Sequence, residues 1–172
     1  MPQPDSQPLL VLLIGDVPGH GTSSALLTAV VQGALTIMRE WIRSEPAIAV
    51  DPRAVLRMFN KAVHQNASGN VNMTMFICVF DLDAHTCTFT NAAHNYPYII
   101  RKNAKGATEV KSLVMAGPSL GSISEPDFEE PKVIDWNSGN QLFMYTDGLL
   151  DCVKGDENLF DSKNLVSALK GA

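Results

Sequence analysis

The chain has few cysteines and little charge of either sign. Its three cysteines, Cys78, Cys87 and Cys152, show no CxxC spacing, which argues against a disulfide framework and favours a reducing, cytoplasmic compartment. Charged residues make up 18% of the 172 residues and the net charge is −5, so no basic surface predicts nucleic-acid binding. The cysteines and histidines share no ligand spacing, which argues against a zinc site.

The sequence also lacks a long apolar run at its start. Residues 9–14 are apolar but too few to span a membrane, and no basic segment precedes them, so they predict a buried strand and no membrane insertion. Residues 1–8 contain three prolines and predict a polar leader. The hydrophobic content of 45% is typical of one compact domain, expected over residues 9–172.

Two helices are predicted after this first strand. The first covers residues 22–43, where apolar residues recur three or four apart and indicate a broad buried face. The predicted apolar stripe consists of Leu26, Val30, Gly33, Ile37 and Trp41, widened by Ala25, Ala29, Ala34, Met38 and Ile42. The second helix begins at Asp51 and Pro52, an N-cap followed by proline at the first helical position, and ends near Gln65.

Strands dominate the rest of the chain. The predicted strands cover residues 73–82, 86–92, 97–102, 108–113, 131–136 and 141–146, and a terminal helix covers residues 162–169. Glycine, proline and asparagine separate the strands, and a turn near His85 predicts a hairpin. Two helices followed by a run of antiparallel strands indicate an α+β fold.

Two acidic residues each follow an apolar strand. Asp16 precedes Gly19 and Gly21, which allow a close backbone approach to a ligand, and a helix N-terminus follows. Asp147 ends a later strand, and Asp151 comes four residues after it. Each aspartate by itself is more often a turn or helix cap than a metal ligand. Two strand-end carboxylates that converge would suit a hard cation such as Mg²⁺ or Mn²⁺.

The segment GDVPGHG at residues 15–21 resembles the D-V-x-G-H-G signature of the PPM (PP2C-like) phosphatases, in particular their bacterial SpoIIE/RsbU branch. Three later segments agree in order: MTMF at 73–76, NAAHNYP at 91–97 and YTDG at 145–148. GPSLG at 117–121 resembles a further family segment, with serine at a usual proline position. It also fits the G-x-S-x-G pattern of a nucleophile elbow, but no helix is predicted after it and all four histidines precede it.

The resemblance implies an α-β-β-α sandwich of two antiparallel sheets flanked by helices, and a metal-dependent serine/threonine phosphatase. Asp16 would bridge two Mn²⁺ or Mg²⁺ ions, the carbonyl of Val17 would bind one, and Asp147 would bind the other. Asp151 would lie in the outer part of the site or on a third ion. A water bridging the metals would attack phosphorus, and His20 would either protonate the leaving oxygen or pack at the helix entrance.

The same resemblance implies a phosphorylated protein substrate, a STAS-type anti-anti-sigma factor in a partner-switching pathway. Family members carry an acidic G-G-D segment upstream and an aspartate pair downstream that have no counterpart in this sequence. We therefore expect missing edge strands at both ends, loosely held metals and a possible homodimer. The alternative is a catalytically silent phosphatase-like module that docks a regulatory protein. His94 and Asn95 are expected to tie their hairpin to its neighbour by hydrogen bonds.

Overall fold

The computed structural model describes residues 9–44, 50–67, 71–154, 157–158, 160 and 162–171. They fall into two compact units, the first within residues 1–94 and 116–136 and the second within 95–115 and 137–172. The elements are β1 (Leu9–Asp16), α1 (Thr22–Ser44), α2 (Pro52–Ala67), β2 (Thr74–Asp81), β3 (Thr86–Ala92), β4 (Tyr98–Lys102), β5 (Thr108–Ser112), β6 (Lys132–Asp135), β7 (Gln141–Phe143), a 3₁₀ helix (Asp147–Leu149), β8 (Val153–Lys154), β9 (Glu157–Asn158) and α3 (Ser162–Gly171). The predicted α+β class is confirmed, and the predicted polar leader lies outside the described residues.

The first unit contains a four-stranded antiparallel sheet in the order β1-β2-β3-β6, with β1 at one edge. In the register of β1 and β2, Leu13 lies opposite Ile77 and Asp16 opposite Thr74. Side chains alternate between the two faces of a strand, so Leu13 and Ile77 point to one face and Asp16 and Thr74 to the other. The Leu13 face is covered by α1 and α2, which build the core of this unit with Phe59 at its centre.

Helix α2 follows its prediction closely. It begins at Pro52, and the carboxylate of Asp51 accepts the backbone N–H of Arg53 at 2.8 Å, which satisfies one donor of the first turn. Val55, Leu56, Phe59 and Val63 are buried, as the spacing predicted. The helix extends two residues beyond the predicted end.

The main stripe of the predicted buried face of α1 is wrong, although Ala34, Met38 and Ile42 of the widening set do pack in the core. Leu26, Ile37 and Trp41 are 64%, 71% and 49% exposed, and the buried residues are Leu27, Val31, Leu35 and Met38. These four residues are also spaced three or four apart, so the pattern permits two orientations of the helix. Charged residues occur in α1 only near its end, and no polar face selects one orientation over the other.

Helix α1 is also long and apolar enough to cross a membrane by length and composition, the one such helix among the described residues. This differs from the expectation of no candidate span. The core helix of a soluble protein passes the same test, and four side chains of α1 belong to the core of the first unit.

The second unit contains a three-stranded antiparallel sheet in the order β5-β4-β7 and the two-stranded pair β8-β9. Tyr98 on β4 and Leu165 and Leu169 on α3 form its buried core. Phe143 and Tyr145 pack against this core from the segment that leads to Asp147. The predicted strand at 141–146 is shorter than expected, because only Gln141–Phe143 pairs with β4.

Candidate active site

Asp16 is the last residue of β1, so a rigid strand fixes the position of its half-buried carboxylate. The chain then turns through residues 17–21 and enters α1. Gly19 and Gly21 have φ angles of 84° and 97°, a region in which residues with a Cβ are strained. The hydroxyl of Ser24 donates to the carbonyl of Pro18 at 3.2 Å and ties this turn to the helix.

A groove of about 600 Å³ runs beside this turn, between β1 and α1. Its walls include the polar side chains of Ser24, Thr28 and Gln32 and several apolar side chains of the core. Among the described residues that line it, Asp16 has the one ionisable side chain. Asp16 lies where β1 ends at this groove, and residues of the first turn of α1, whose backbone N–H groups favour anionic ligands, also line it.

His20 lies at the tip of the same turn and is exposed. This exposure does not support the predicted packing role at the helix entrance, because the side chain is not enclosed by the core. Val17 is half-buried and packs against the core cluster of the first unit. Packing of the Val17 side chain fixes the backbone that follows Asp16, including the carbonyl that is expected to act as a ligand.

A hydrogen-bonded cluster lies on the sheet next to Asp16. The ring Nδ1 of His94 is 2.8 Å from the hydroxyl Oγ1 of Thr74, and Thr74 is the register partner of Asp16. Asn91 holds the chain of His94 by accepting its N–H and donating to its carbonyl, both at 2.9 Å. His94 and Asn91 are 4% and 1% exposed. The predicted hairpin-tying role of His94 is confirmed, while that of Asn95 stays a prediction.

Sequence reasoning did not identify Thr74 or Asn91 as part of this cluster. The spacing of three residues between Asn91 and His94 is a signal that could have found the first contact, since asparagine commonly bonds nearby backbone in tight turns. The contact between Thr74 and His94 spans 20 residues. It depends on the exact register of β2 against β3, which the predicted hairpin by itself does not specify.

Asp147 and Asp151 lie in one turn of the second unit. Asp147 is exposed and begins the 3₁₀ helix, and its carbonyl accepts the N–H groups of Leu150 at 2.7 Å and Asp151 at 2.9 Å. The preceding Tyr145 stacks on Tyr98 with ring centroids 6.1 Å apart and an interplanar angle of 11°. This stacking anchors the turn to the core of the second unit.

Burial raises the pKa of Tyr145 to about 12, and the neighbouring Tyr98 contributes to the rise. The Tyr145 hydroxyl thus stays neutral over the working range of most proteins. The predicted site residues are brought together as two groups, Asp16 with Val17 and His20 in the first unit, and Asp147 with Asp151 in the second.

The donor groups suit a hard cation. Carboxylates of Asp16, Asp147 and Asp151 and the carbonyl of Val17 offer only oxygen, which Mg²⁺ and Mn²⁺ prefer. Across the described part of the chain, no cluster of three or more His, Cys, Asp or Glu side chains forms a complete ligand set. Each of the two groups therefore fits a divalent ion in kind, with further carbonyls and water needed to complete the coordination.

Two further sequence features within the described residues, the GPSLG segment and the cysteines, supply no catalytic nucleophile. Residues after Ser119 form turns and no helix, which confirms the rejection of a nucleophile elbow. Cys78, Cys87 and Cys152 are free thiols, as expected. A hydrogen bond to Cys87, together with burial, raises the pKa of the Cys78 thiol well above its usual range, so Cys78 is inert as a nucleophile.

Comparison with known proteins identifies the family. The family model for stage II sporulation protein E (SpoIIE) matches residues 6–172. The chain belongs to the SpoIIE family. The phosphoserine phosphatase RsbU of Bacillus subtilis (strain 168) is 27% identical over 145 residues, which cover 82% of this chain and 39% of that protein. The chain thus spans about two fifths of the length of this curated relative.

Solved structures support the family's fold. The SiaA PP2C domain of Pseudomonas aeruginosa has a TM-score of 0.71 at 23% identity, covering 98% of this chain and 63% of that one. The catalytic domain of the serine/threonine phosphatase PstP, solved with two manganese ions, has a TM-score of 0.59 at 14% identity, covering 93% and 73%. The predicted PP2C-like fold, with two antiparallel sheets and helices, is confirmed.

Proposed function

We propose that the chain is a metal-dependent protein serine/threonine phosphatase, with Asp16, the carbonyl of Val17 and Asp147 as ligands of Mn²⁺ or Mg²⁺. The observation that carries the proposal is the position of Asp16, the last residue of a strand, directly before a glycine turn and in the lining of a groove of about 600 Å³. Membership of the SpoIIE family supports the same assignment.

Each residue of the site has a role that follows from its position. When bound, the divalent ions supply Lewis acidity that activates water and offsets charge on phosphoryl oxygens. Asp16 and Val17 hold their ligand atoms on a strand end and a packed turn. Asp151 lies one turn beyond Asp147 and adds negative charge at the outer part of the site. His20 is exposed at the tip of the turn, where it can deliver a proton to a leaving serine or threonine oxygen.

The substrate is proposed to be a phosphorylated protein. RsbU, the curated relative, is a phosphoserine phosphatase, and another similar structure contains RsbU and RsbW domains in one chain from Mycobacterium tuberculosis. The groove beside Asp16 is open and carries no basic side chain among its described lining residues. Selectivity therefore depends on the parts of the substrate protein that surround its phosphorylated residue. A STAS-type regulator in a partner-switching pathway is our specific candidate.

The test is hydrolysis of a phosphoserine peptide and of a phosphorylated STAS-domain protein in millimolar Mn²⁺. Asp16→Asn should lower turnover by at least about 100-fold, since the loss of a charge that holds the ions removes electrostatic stabilisation of the transition state. Asp147→Asn should lower it as well. Asp83→Asn is the matched control, because Asp83 is an exposed turn residue of the first unit, remote in sequence from both turns.

Two results would contradict the proposal. Near-parental turnover of Asp16→Asn, with the fold verified by circular dichroism, would remove Asp16 from the site. A parental chain that binds the phosphorylated STAS protein but never hydrolyses it, at any Mn²⁺ concentration, would support the alternative of a silent docking module.

A further inference from the structure

Three residues on one side of the first sheet form a line that ends at the proposed metal ligand. Asp16 and Thr74 are paired in the antiparallel register of β1 and β2, and directly opposed residues have Cβ atoms about 4.5–5.5 Å apart on the same face. The Thr74 hydroxyl is in turn 2.8 Å from Nδ1 of His94. Thr74 therefore stands between Asp16 and a buried imidazole.

A hydrogen bond from the Thr74 hydroxyl to Asp16 would set the direction of the bond between Thr74 and His94. A threonine hydroxyl has one hydrogen to donate, and an ionised carboxylate can only accept. If Thr74 donated its hydroxyl hydrogen to His94, it would have no hydrogen left to donate to the Asp16 carboxylate. If Nδ1–H of His94 donates to Thr74 Oγ1, the hydroxyl hydrogen is directed to the carboxylate.

His94 is well placed to act as this fixed donor. It is 4% exposed, and both backbone groups of His94 are held by the Asn91 side chain at 2.9 Å. Asn91 is itself 1% exposed on β3, so the imidazole is positioned by rigid, buried structure. Metal-binding carboxylates are commonly oriented by such outer hydrogen bonds, which tune metal affinity.

We propose that Thr74 is a positioning residue for Asp16: its hydroxyl, oriented by Nδ1–H of His94, donates to the Asp16 carboxylate and fixes it for divalent metal binding. The inference rests on the proposed function, because it assumes that Asp16 binds the metal. It extends that function by assigning a role to Thr74 of the MTMF segment and to His94 of the NAAHNYP segment, neither of which is a proposed metal ligand.

The test measures Mn²⁺ binding directly, by electron paramagnetic resonance of free Mn²⁺ during titration of the 172-residue chain. Thr74→Val keeps the shape of the side chain and removes the hydroxyl, and should weaken Mn²⁺ binding by about 10–100-fold, the usual effect of losing an outer-sphere partner. Thr74→Ser restores the hydroxyl and should bind Mn²⁺ like the parental chain. Thr90→Val is the matched control, on the opposite face of the same sheet, and should bind Mn²⁺ normally.

The outcomes separate the inference from the function on which it rests. If Asp16→Asn loses Mn²⁺ binding while Thr74→Val keeps parental affinity, the proposed function stands and the role of Thr74 is overturned. If Thr74→Ser binds as weakly as Thr74→Val, side-chain shape and not the hydroxyl matters, which also overturns it. If Asp16→Asn and the parental chain bind Mn²⁺ equally, both proposals fall. Thermal unfolding without metal verifies each fold, and Thr74→Ala replaces Thr74→Val if valine is not tolerated.

Discussion

The side-chain oxygen of Asn60 accepts the backbone N–H of Gly121 at 2.8 Å, and this bond joins α2 to the GPSLG segment. The amide nitrogen of Asn60 donates to the carbonyls of Ile123 and Ser124 at 3.0 and 3.1 Å. Asn60 is 1% exposed, so the bond to Gly121 is shielded from water and the bonds to Ile123 and Ser124 are partly shielded. One buried side chain thus holds a loop that has no regular secondary structure of its own.

Asn60→Ala should therefore destabilise the chain strongly. Three hydrogen bonds are lost and the buried N–H of Gly121 is left without its partner, so we expect a loss on the order of 3 kcal/mol in the free energy of unfolding. Urea denaturation followed by fluorescence measures it. Asn66→Ala on the same helix is the control, because Asn66 makes an exposed bond to Ala62 and should change stability by about 0.5 kcal/mol or less. Equal effects of the two substitutions would contradict this role of Asn60.

The large aromatic side chains Phe59 of α2 and Trp41 of α1 should contribute very different amounts to the free energy of unfolding. Phe59 on α2 is fully buried and Trp41 on α1 is 49% exposed. Phe59→Ala should cost about 3–5 kcal/mol through lost burial and a residual cavity. Trp41→Ala should cost about 1 kcal/mol or less, since substitutions at exposed positions have small effects. Chemical denaturation of both variants checks this, and a larger loss for Trp41 would show that solution packing of α1 differs from the structure.

The contrast between these helices shows how far the sequence was informative. In α2, charged residues such as Arg57 and Lys61 occupy one side, so only one face could be buried and the prediction was right. In α1, apolar residues surround the helix for most of its length, and the buried face was predicted incorrectly. Orientation there is set by which side chains fit the sheet, and that is a property of the packed core.

The site shows the same division between local and long-range information. The turn after Asp16 could be predicted, because its glycines and its position between strand and helix are local features. The contact of Thr74 with His94 could not, because it depends on strand register. The shortening of β7 also escaped prediction, since the apolar pattern continues to Tyr145 while pairing with β4 ends at Phe143.

Thr90 offers a stabilising substitution. Its hydroxyl is buried, with no hydrogen-bond partner among the described residues, and its cross-strand neighbour is Ile77 in the core. A buried, unpaired hydroxyl costs free energy, so the similarly shaped Thr90→Val should stabilise the chain by about 1 kcal/mol. Thr88→Val, at a half-buried position of the same strand, should have a smaller effect. A lower thermal midpoint for Thr90→Val would show that the hydroxyl is satisfied in solution.

Tyr145 should make the fold sensitive to alkaline pH. Burial raises its pKa in the folded chain to about 12 from the ordinary value of 10.0. Between these values the folded chain retains a proton that the unfolded chain releases, so stability is present below about pH 10 and falls as pH rises towards 12. Tyr145→Phe removes this ionisation, and its free energy of unfolding should fall less over that range. Tyr96→Phe, at an exposed ring, is the control and should follow the parental pH dependence.

His20 should be required for difficult leaving groups and dispensable for easy ones. A serine oxygen leaves poorly without a proton, so loss of a general acid should lower phosphopeptide turnover by about 10²–10⁴-fold in His20→Ala. The p-nitrophenolate ion is a stable leaving group, and hydrolysis of p-nitrophenyl phosphate should change far less. Because His20 is exposed, its removal should leave the unfolding midpoint unchanged.

His85→Ala, at an exposed turn of the same unit, is the matched control for loss of an imidazole. Equal losses on both substrates would assign His20 to binding or metal retention, and no loss on either would exclude it from the reaction.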